Sequence, residues 1–327
     1  MKFILCTGDS HTQGEGAKGF YNRVPTEWVR PYNSNGEGFG YTRLFSGCDC
    51  YVNLLRDYIN KATGSEDEMI FIATDKPYED ICSGMTFDCE KGDALIFTFA
   101  AKQEESVVSF YADGVEVRKK KLITNEPRHV DISVWDVYVD CKGVQKVEIF
   151  AEKGVVNIIS ARLVKGEYAV INCGAGCCDS KRYYEKYVKQ LIDEFSPWMF
   201  VAEAHTINDW LSGKTPEEYK KYLDLMINEM KNGAQNVLVL VPSPIIESDN
   251  RPTVIAKYKE YIEKIYELVT EKNYEMVDAY SVMWDEIKNL TDDEKYKVML
   301  KDQLHVNDHG HKIYADMIFE KISGLIK

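Results

Sequence analysis

The sequence predicts an α/β chain: a three-layer domain built on a parallel sheet, interrupted by an all-β sandwich. Three observations carry this. Over residues 1–67 and 166–327, short apolar runs alternate with amphipathic stretches of helical period, the pattern of a parallel sheet covered on both faces. Over residues 68–165 the texture changes, and strand-like runs recur about every ten residues with no helical period, as in all-β folds. The α/β pattern then resumes, so the β module is inserted rather than appended.

Each element has a local reason. Phe3, Ile4, Leu5 and Cys6 form an apolar run that stops at Thr7-Gly8-Asp9-Ser10-His11. Residues 51–62 (YVNLLRDYINKA) repeat apolar side chains at helical spacing, as do residues 183–195. In the insert, ALIFTF (94–99) and SVVSFY (106–111) read as strands, and Asp113-Gly114 is a two-residue hairpin signal. The basic run Arg118-Lys119-Lys120-Lys121 reads as a solvated strand end. Thr215-Pro216-Glu217-Glu218 is a helix start, with Thr215 as cap, Pro216 in the first turn and Glu218 closing a capping box. That helix runs to about Lys231. Residues 236–241 (NVLVLV) are an apolar run ended by Pro242, as expected of a strand buried on both faces. A helix over 254–272, a strand near 274–277 and a last helix from about Gly310 complete the pattern.

Composition excludes several function classes. The net charge of −13 over 327 residues argues against a nucleic-acid or anionic-membrane surface. No segment approaches the roughly 18–20 consecutive apolar residues of a membrane span. No basic stretch precedes a long apolar run and a small-residue cleavage site, so a cytoplasmic location is the expectation. The nine cysteines are odd in number and scattered, as suits buried thiols in a reducing compartment. Cys48-Asp49-Cys50 and Cys177-Cys178 lack the spacing of a zinc ligand set. His11, His205, His309 and His311 show no convincing ligand set with carboxylate or cysteine partners. The expectation is therefore no metal and no cofactor.

The chemistry-bearing residues lie at the two ends. An Asp three residues before a His, as in Asp302-x-x-His305, can place a carboxylate on one imidazole nitrogen while the other faces outward as a base. With a serine at the end of the first strand, the parts for nucleophilic acyl transfer are present. Gly8-Asp9-Ser10 with Gly14 and Gly16, then Asn172-Cys173-Gly174-Ala175-Gly176-Cys177, then His205-Thr206-Ile207-Asn208-Asp209-Trp210, then Asp302-x-x-His305-x-Asn307-x-x-Gly310-His311 occur in that order. Taken together, this set resembles the SGNH, or GDSL-like, hydrolase family, over roughly the two-thirds of the chain outside the insert.

The resemblance implies a flavodoxin-like three-layer fold and a serine esterase or acylhydrolase. It implies Ser10 as nucleophile, His305 as general base and Asp302 as the group orienting His305. Asn208 and the Ser10 N–H would donate to the oxyanion, with a third donor from the loop after Asn172, either Gly176 or Cys177. Asp9, Gly174, His205 and Trp210 complete the candidate set around the substrate, Asp9 chiefly as a hydrogen-bond acceptor beneath the serine loop. Two departures stand out. Thr206 occupies a position where the family usually has glycine, and Cys177 stands where the donor glycine normally sits. If that loop needs a positive φ, Gly176 is the better candidate after a one-residue shift.

The expected substrate is a small acyl ester, acetyl before others, carried on carbohydrate or another small molecule. A lipase- or thioesterase-type acylhydrolase, and a catalytically inactive scaffold that keeps the fold, remain as alternatives. For the insert, Tyr111, Trp135 and Tyr138 are available for sugar recognition, and an oligomerisation role is the rival reading. Neither nucleic acid nor membrane is expected as a partner.

Overall fold

The structure, a computed structural model, describes residues 1–17, 30–31, 38–39, 49–72, 84–101, 105–123, 133–154, 156–246, 254–300 and 304–326. In chain order, β1 (Lys2–Gly8) leads into the one-turn helix α1 (Ser10–Gln13). A two-residue pair, β2 (Arg30–Pro31) and β3 (Gly38–Phe39), precedes α2 (Tyr51–Thr63). Eight strands follow: β4 (Glu66–Ile72), β5 (Met85–Asp88), β6 (Ala94–Ala101), β7 (Glu105–Ala112), β8 (Val115–Ile123), β9 (Ser133–Asp140), β10 (Lys146–Lys153) and β11 (Val156–Lys165). The α/β pattern resumes with β12 (Tyr168–Gly174), α3 (Ser180–Tyr183), a π-helical turn (Tyr184–Val188), α4 (Lys189–Phe195) and β13 (Met199–Glu203). It ends with α5 (Thr206–Leu211), α6 (Pro216–Gly233), β14 (Asn236–Val241), α7 (Val254–Lys272), β15 (Glu275–Asp278), α8 (Ala279–Ile287), α9 (Asp292–Val298) and α10 (Asp308–Ile322).

The chain divides into two compact units. One comprises Met1–Tyr21, Gly47–Ile59 and Tyr168–Lys327, the other Asn22–Ser46 and Asn60–Glu167. The sequence reading sets the first boundary at 67/68, but β4 already begins at Glu66, where it pairs with Lys165 of β11. No described helix is long and apolar enough to cross a membrane.

In the first unit five strands pair in the order β12-β1-β13-β14-β15, every pair parallel. Counting only this sheet, the order is 2-1-3-4-5, which reverses direction beside β1 and opens a crevice at the carboxyl ends of the strands. Alternation along each strand splits the core into two layers. Ile4, Cys6, Val170, Val201 and Leu240 share a cluster with Tyr51 and Leu55 of α2, Met283 of α8, and Tyr314 and Ile318 of α10. Phe3 and Leu5 point the other way, Phe3 meeting Phe195 of α4 with ring centroids 5.1 Å apart. Both strand faces are apolar because both are covered. Thr215 and Glu218 form the expected capping box of α6. Residues 180–195 form one helical run broken by the π turn.

The second unit is a sandwich of two antiparallel four-stranded sheets, β5-β10-β7-β8 and β4-β11-β6-β9. Leu95, Phe97 and Phe99 from one sheet and Val108, Phe110, Val147 and Ile149 from the other fill a shared core. The basic stretch of β8 is pinned by acids of neighbouring strands. Lys119 pairs with Glu152, and Lys121 with Glu105 at 2.7 Å. Of the aromatics named above, Tyr111 packs edge-on against Phe150 and bonds Glu116, Tyr138 is half-buried, and the Trp135 side chain lies outside the described parts.

Asp113 and Gly114 both adopt positive φ, 47° and 83°, in the two-residue turn between β7 and β8. Both central residues of this turn lie in the left-handed region, which only Asn, Asp and Gly enter cheaply. Gly114→Val is therefore expected to destabilise the sandwich by about 1 kcal/mol or more, read as a lower denaturation midpoint with tryptophan and far-UV signals.

Candidate active site

The serine turn is built by close clearances. β1 ends at Gly8, where a Cβ would overlap the Thr12 hydroxyl and the Glu203 carboxylate. Asp9 caps α1, its Oδ1 accepting the His11 backbone N–H at 3.0 Å. Ser10 is thereby the first helical residue, and its own N–H makes no hydrogen bond among the described residues. Gly14 closes the turn at φ 107°. Gly16, at φ 95°, lies so near the Val306 carbonyl that a side chain there would collide with it. Gly16 thus lets the first loop approach the last one.

The last loop delivers His305. Leu300 and Val306 form an isolated antiparallel bridge, and Asn307 caps α10 by accepting from His309 and Gly310. Between them stands His305, 9% exposed. Its Nε2 lies 2.9 Å from Ser10 Oγ. Asp302 lies outside the described residues. Among the described residues, a carboxylate the sequence reading did not weigh lies close: Glu15 Oε2 is 3.4 Å from the same His305 nitrogen, with both side chains nearly buried. The Glu15 backbone is fixed by His311, whose Nε2 donates to the Glu15 carbonyl at 3.2 Å while its Nδ1 accepts from the Tyr51 N–H at 3.4 Å.

Asn208 arrives on α5, after β13. Its Nδ2 donates to Asp9 Oδ2 at 2.6 Å, and the amide carries a second proton. Asp209 is buried and anchors the helix from behind, accepting both the N–H and the hydroxyl of Ser180 at 2.7 Å. Burial raises its pKa to about 6. Thr206, the departure from the family glycine, sits inside α5 and bonds Tyr219 at 3.0 Å. The left-handed residue is His205, at φ 54°. Thr206 therefore meets an ordinary helical backbone, and its branching carries no penalty of the kind a positive φ would bring.

The loop after β12 departs from expectation in the other direction. The positive φ falls on Cys177, at 56°, and not on Gly176. A Cβ at Gly176 would come within 2.6 Å of Gln13 Oε1, the far end of a flexible side chain that can swing aside. The Gly176 N–H makes no hydrogen bond among the described residues. Gly174 serves packing: its absent side chain leaves room for the α1 backbone, and its N–H goes to Asn172 Oδ1 at 3.0 Å. His205 and Asp9 have no exposed surface, so both touch protein only. His205 donates from Nδ1 to the Cys178 carbonyl at 2.8 Å and packs on Tyr183. Burial lowers its pKa, and its Nε2 has no hydrogen-bond partner among the described residues. Trp210 is half-buried on α5.

Beneath the serine lies a buried charge network. Asp9 Oδ1 meets His11 Nδ1 at 3.0 Å, and His11 Nε2 meets the Leu304 carbonyl at 2.8 Å. Glu203, the last residue of β13, accepts the Asp9 N–H at 3.0 Å and the His205 N–H at 3.1 Å. Burial alone would raise the Asp9 pKa, but the adjacent His11 holds its carboxyl below the usual range. For His11 burial works against the charge, and Asp9 overrides it, raising the pKa to about 9. Burial and the charge of Asp9 push the Glu203 carboxyl well up. Asp9, His11 and Glu203 bring donor atoms within 4.8 Å of one another, a grouping of histidine with carboxylates that the sequence reading did not find. Those atoms are spent on hydrogen bonds, which an ion would have to displace. A signal for Glu203 was available: a carboxylate closing the otherwise apolar run MFVA is rarely buried without partners.

No family model and no curated protein matches the chain. Solved structures do. A peptidoglycan O-acetylesterase aligns over 100% of this chain and 91% of its own, at 12% identity and a TM-score of 0.52. The chain has the SGNH-hydrolase fold. A variant of Axe2, an acetyl-xylooligosaccharide esterase from Geobacillus stearothermophilus, aligns over 98% of this chain and 94% of its own at 12% identity, with a TM-score of 0.47. A lipolytic protein of the G-D-S-L family from Veillonella parvula covers 48% of this chain and 81% of its own at 16% identity, with a TM-score of 0.40. Within the SGNH fold, Ser10, Cys177 and Asn208 follow the carboxyl ends of β1, β12 and β13, beside the point where strand order reverses.

Two outcomes are expected from this geometry. Gly16→Ala should keep the fold, seen in an unchanged far-UV spectrum, yet lower the rate of Ser10 modification by a serine-reactive probe about 100-fold, because the loops are forced apart. Stability should fall as pH rises from about 6.5 to about 9. His11 binds its proton more tightly in the folded chain, so its contribution is full below the unfolded value and lost through the folded one. Glu203, also raised, acts in the same direction. A melting temperature that climbs over that window would contradict both assignments.

Proposed function

We propose that the chain is a serine esterase that removes small acyl groups, acetyl first, from a carbohydrate or other small alcohol. One observation carries the reading: Ser10 Oγ and His305 Nε2, 295 residues apart in sequence, lie 2.9 Å from each other at the carboxyl edge of the sheet. The peptidoglycan O-acetylesterase with the same fold supports acetyl on a glycan as the first choice.

In this reading Ser10 Oγ attacks the ester carbonyl while His305 Nε2 takes its proton, so the hydroxyl needs no unusual acidity. The carbonyl oxygen becomes an anion facing the Ser10 N–H, the free amide proton of Asn208 and an N–H of the 176–177 turn. Each pre-aimed donor contributes a few kcal/mol in the transition state. Collapse breaks the ester bond, and His305 returns the proton to the leaving alcohol. Water, deprotonated by the same imidazole, then attacks the acyl-enzyme and frees Ser10 and the acid. Asp302 orients His305, and the Glu15 carboxylate lies beside the positive charge that forms there.

Fluorophosphonate labelling and a panel of acetyl, butyryl and thioester substrates test the proposal. Ser10→Ala should lose labelling entirely and turnover by about 10⁴-fold or more. Asn208→Ala should retain labelling but lose about 10²- to 10³-fold in kcat. A wild-type chain whose Ser10 resists the probe belongs to the inactive scaffold class. A Ser10 that labels while acetyl esters go untouched overturns only the choice of acyl group.

A further inference from the structure

We propose that His11 is a buried cationic clamp, a positioning residue that fastens the loop carrying His305 to the turn carrying Ser10. The inference rests on reading those two residues as nucleophile and base.

The protonation state follows from what each nitrogen faces. The Leu304 carbonyl, 2.8 Å from His11 Nε2, can only accept, so that nitrogen carries a proton. The other nitrogen faces Asp9 Oδ1 at 3.0 Å, an ionised carboxylate oxygen that already accepts the His11 backbone N–H, so it donates as well. Two acceptors make an imidazolium. His311 is the internal contrast. It faces one carbonyl and one N–H, Glu15 and Tyr51, so it is neutral, and burial lowers its pKa to about 3.

The groups around His11 agree with the cation. Asp9, from the β1–α1 turn, supplies the counter-charge. Glu203, from β13, adds a nearby carboxyl. The Ser243 hydroxyl, after β14, is 3.5 Å from Nε2. Two further imidazoles lie near: the His305 ring centroid is 5.1 Å away, and the charge of His11 helps keep His311 of α10 neutral. Histidine suits the task because one ring reaches from residue 11, next to the nucleophile, to residue 304, next to the base. Loss of one proton leaves a lone pair, which Asp9 forces onto Nε2 by keeping the Nδ1–H. That lone pair would face the Leu304 carbonyl and repel it, so the clamp opens.

The test uses the full chain. Histidine-labelled protein, with His11 assigned through a His11→Gln variant, is titrated by NMR while the fluorophosphonate labelling rate of Ser10 is measured from pH 6 to 10. Expected are a doubly protonated His11 at pH 7, loss of its proton near pH 9, and a reversible drop in labelling of about tenfold over the same interval. The His11→Gln chain should label slowly at neutral pH and show no further fall near 9. A singly protonated His11 at pH 7, or an alkaline fall retained in the variant, would overturn the clamp. If the variant fails to fold, the wild-type titration and labelling still decide. A Ser10 that never labels brings down the esterase reading, whereas a labelled Ser10 above a neutral His11 brings down the clamp alone.

Discussion

The site is organised by one buried carboxylate. Asp9 has no exposed surface, yet it caps α1, holds the His11 ring and receives the Asn208 amide, while its own N–H goes to Glu203. Three segments distant in sequence therefore take their orientation from it: the turn carrying Ser10, the loop carrying His305 through His11, and α5 through Asn208. A buried ion is costly unless every lone pair is used. Here each oxygen accepts, and the adjacent imidazolium balances the charge. Ser10 itself makes few demands. The turn that carries it is held by its neighbour, Asp9.

Much of this was legible in the chain. The parallel sheet follows from apolar runs such as NVLVLV, whose both-face burial leaves no polar alternation to misread. The capping box at Thr215 and the turn at Asp113-Gly114 are local devices, fixed by hydrogen bonds and dihedral preferences within four residues, so they read directly. The pairing of Ser10 with His305 was legible only because the motif order constrains it, since nothing local to either residue points to the other. What stayed hidden is what arises between segments. Glu15 and Glu203 become part of the site through distances to His305 and Asp9 that no spacing rule encodes. The left-handed residues of these two loops fall on His205 and Cys177, where no glycine in the sequence marks them.

The two units divide their stabilising forces differently. The sandwich relies on an aromatic centre of Phe87, Phe97, Phe99 and Phe110, with ring contacts from 5.2 to 6.0 Å. Edge and offset contacts of this kind add to burial a preference for one packing arrangement. Among the described residues the α/β unit buries more polar side chains, including Thr7, Asp9, His11, Glu203, His205, Asp209 and His311. Apolar packing there supplies the frame, and satisfied polar networks supply the specific geometry.

The 295-residue separation between Ser10 and His305 has a temporal consequence. A contact of that range closes late, after the strands between have found their places. During synthesis the Ser10 turn is made 295 residues ahead of His305. In the esterase reading, the Ser10 hydroxyl therefore stays without its imidazole partner until those 295 residues have been added.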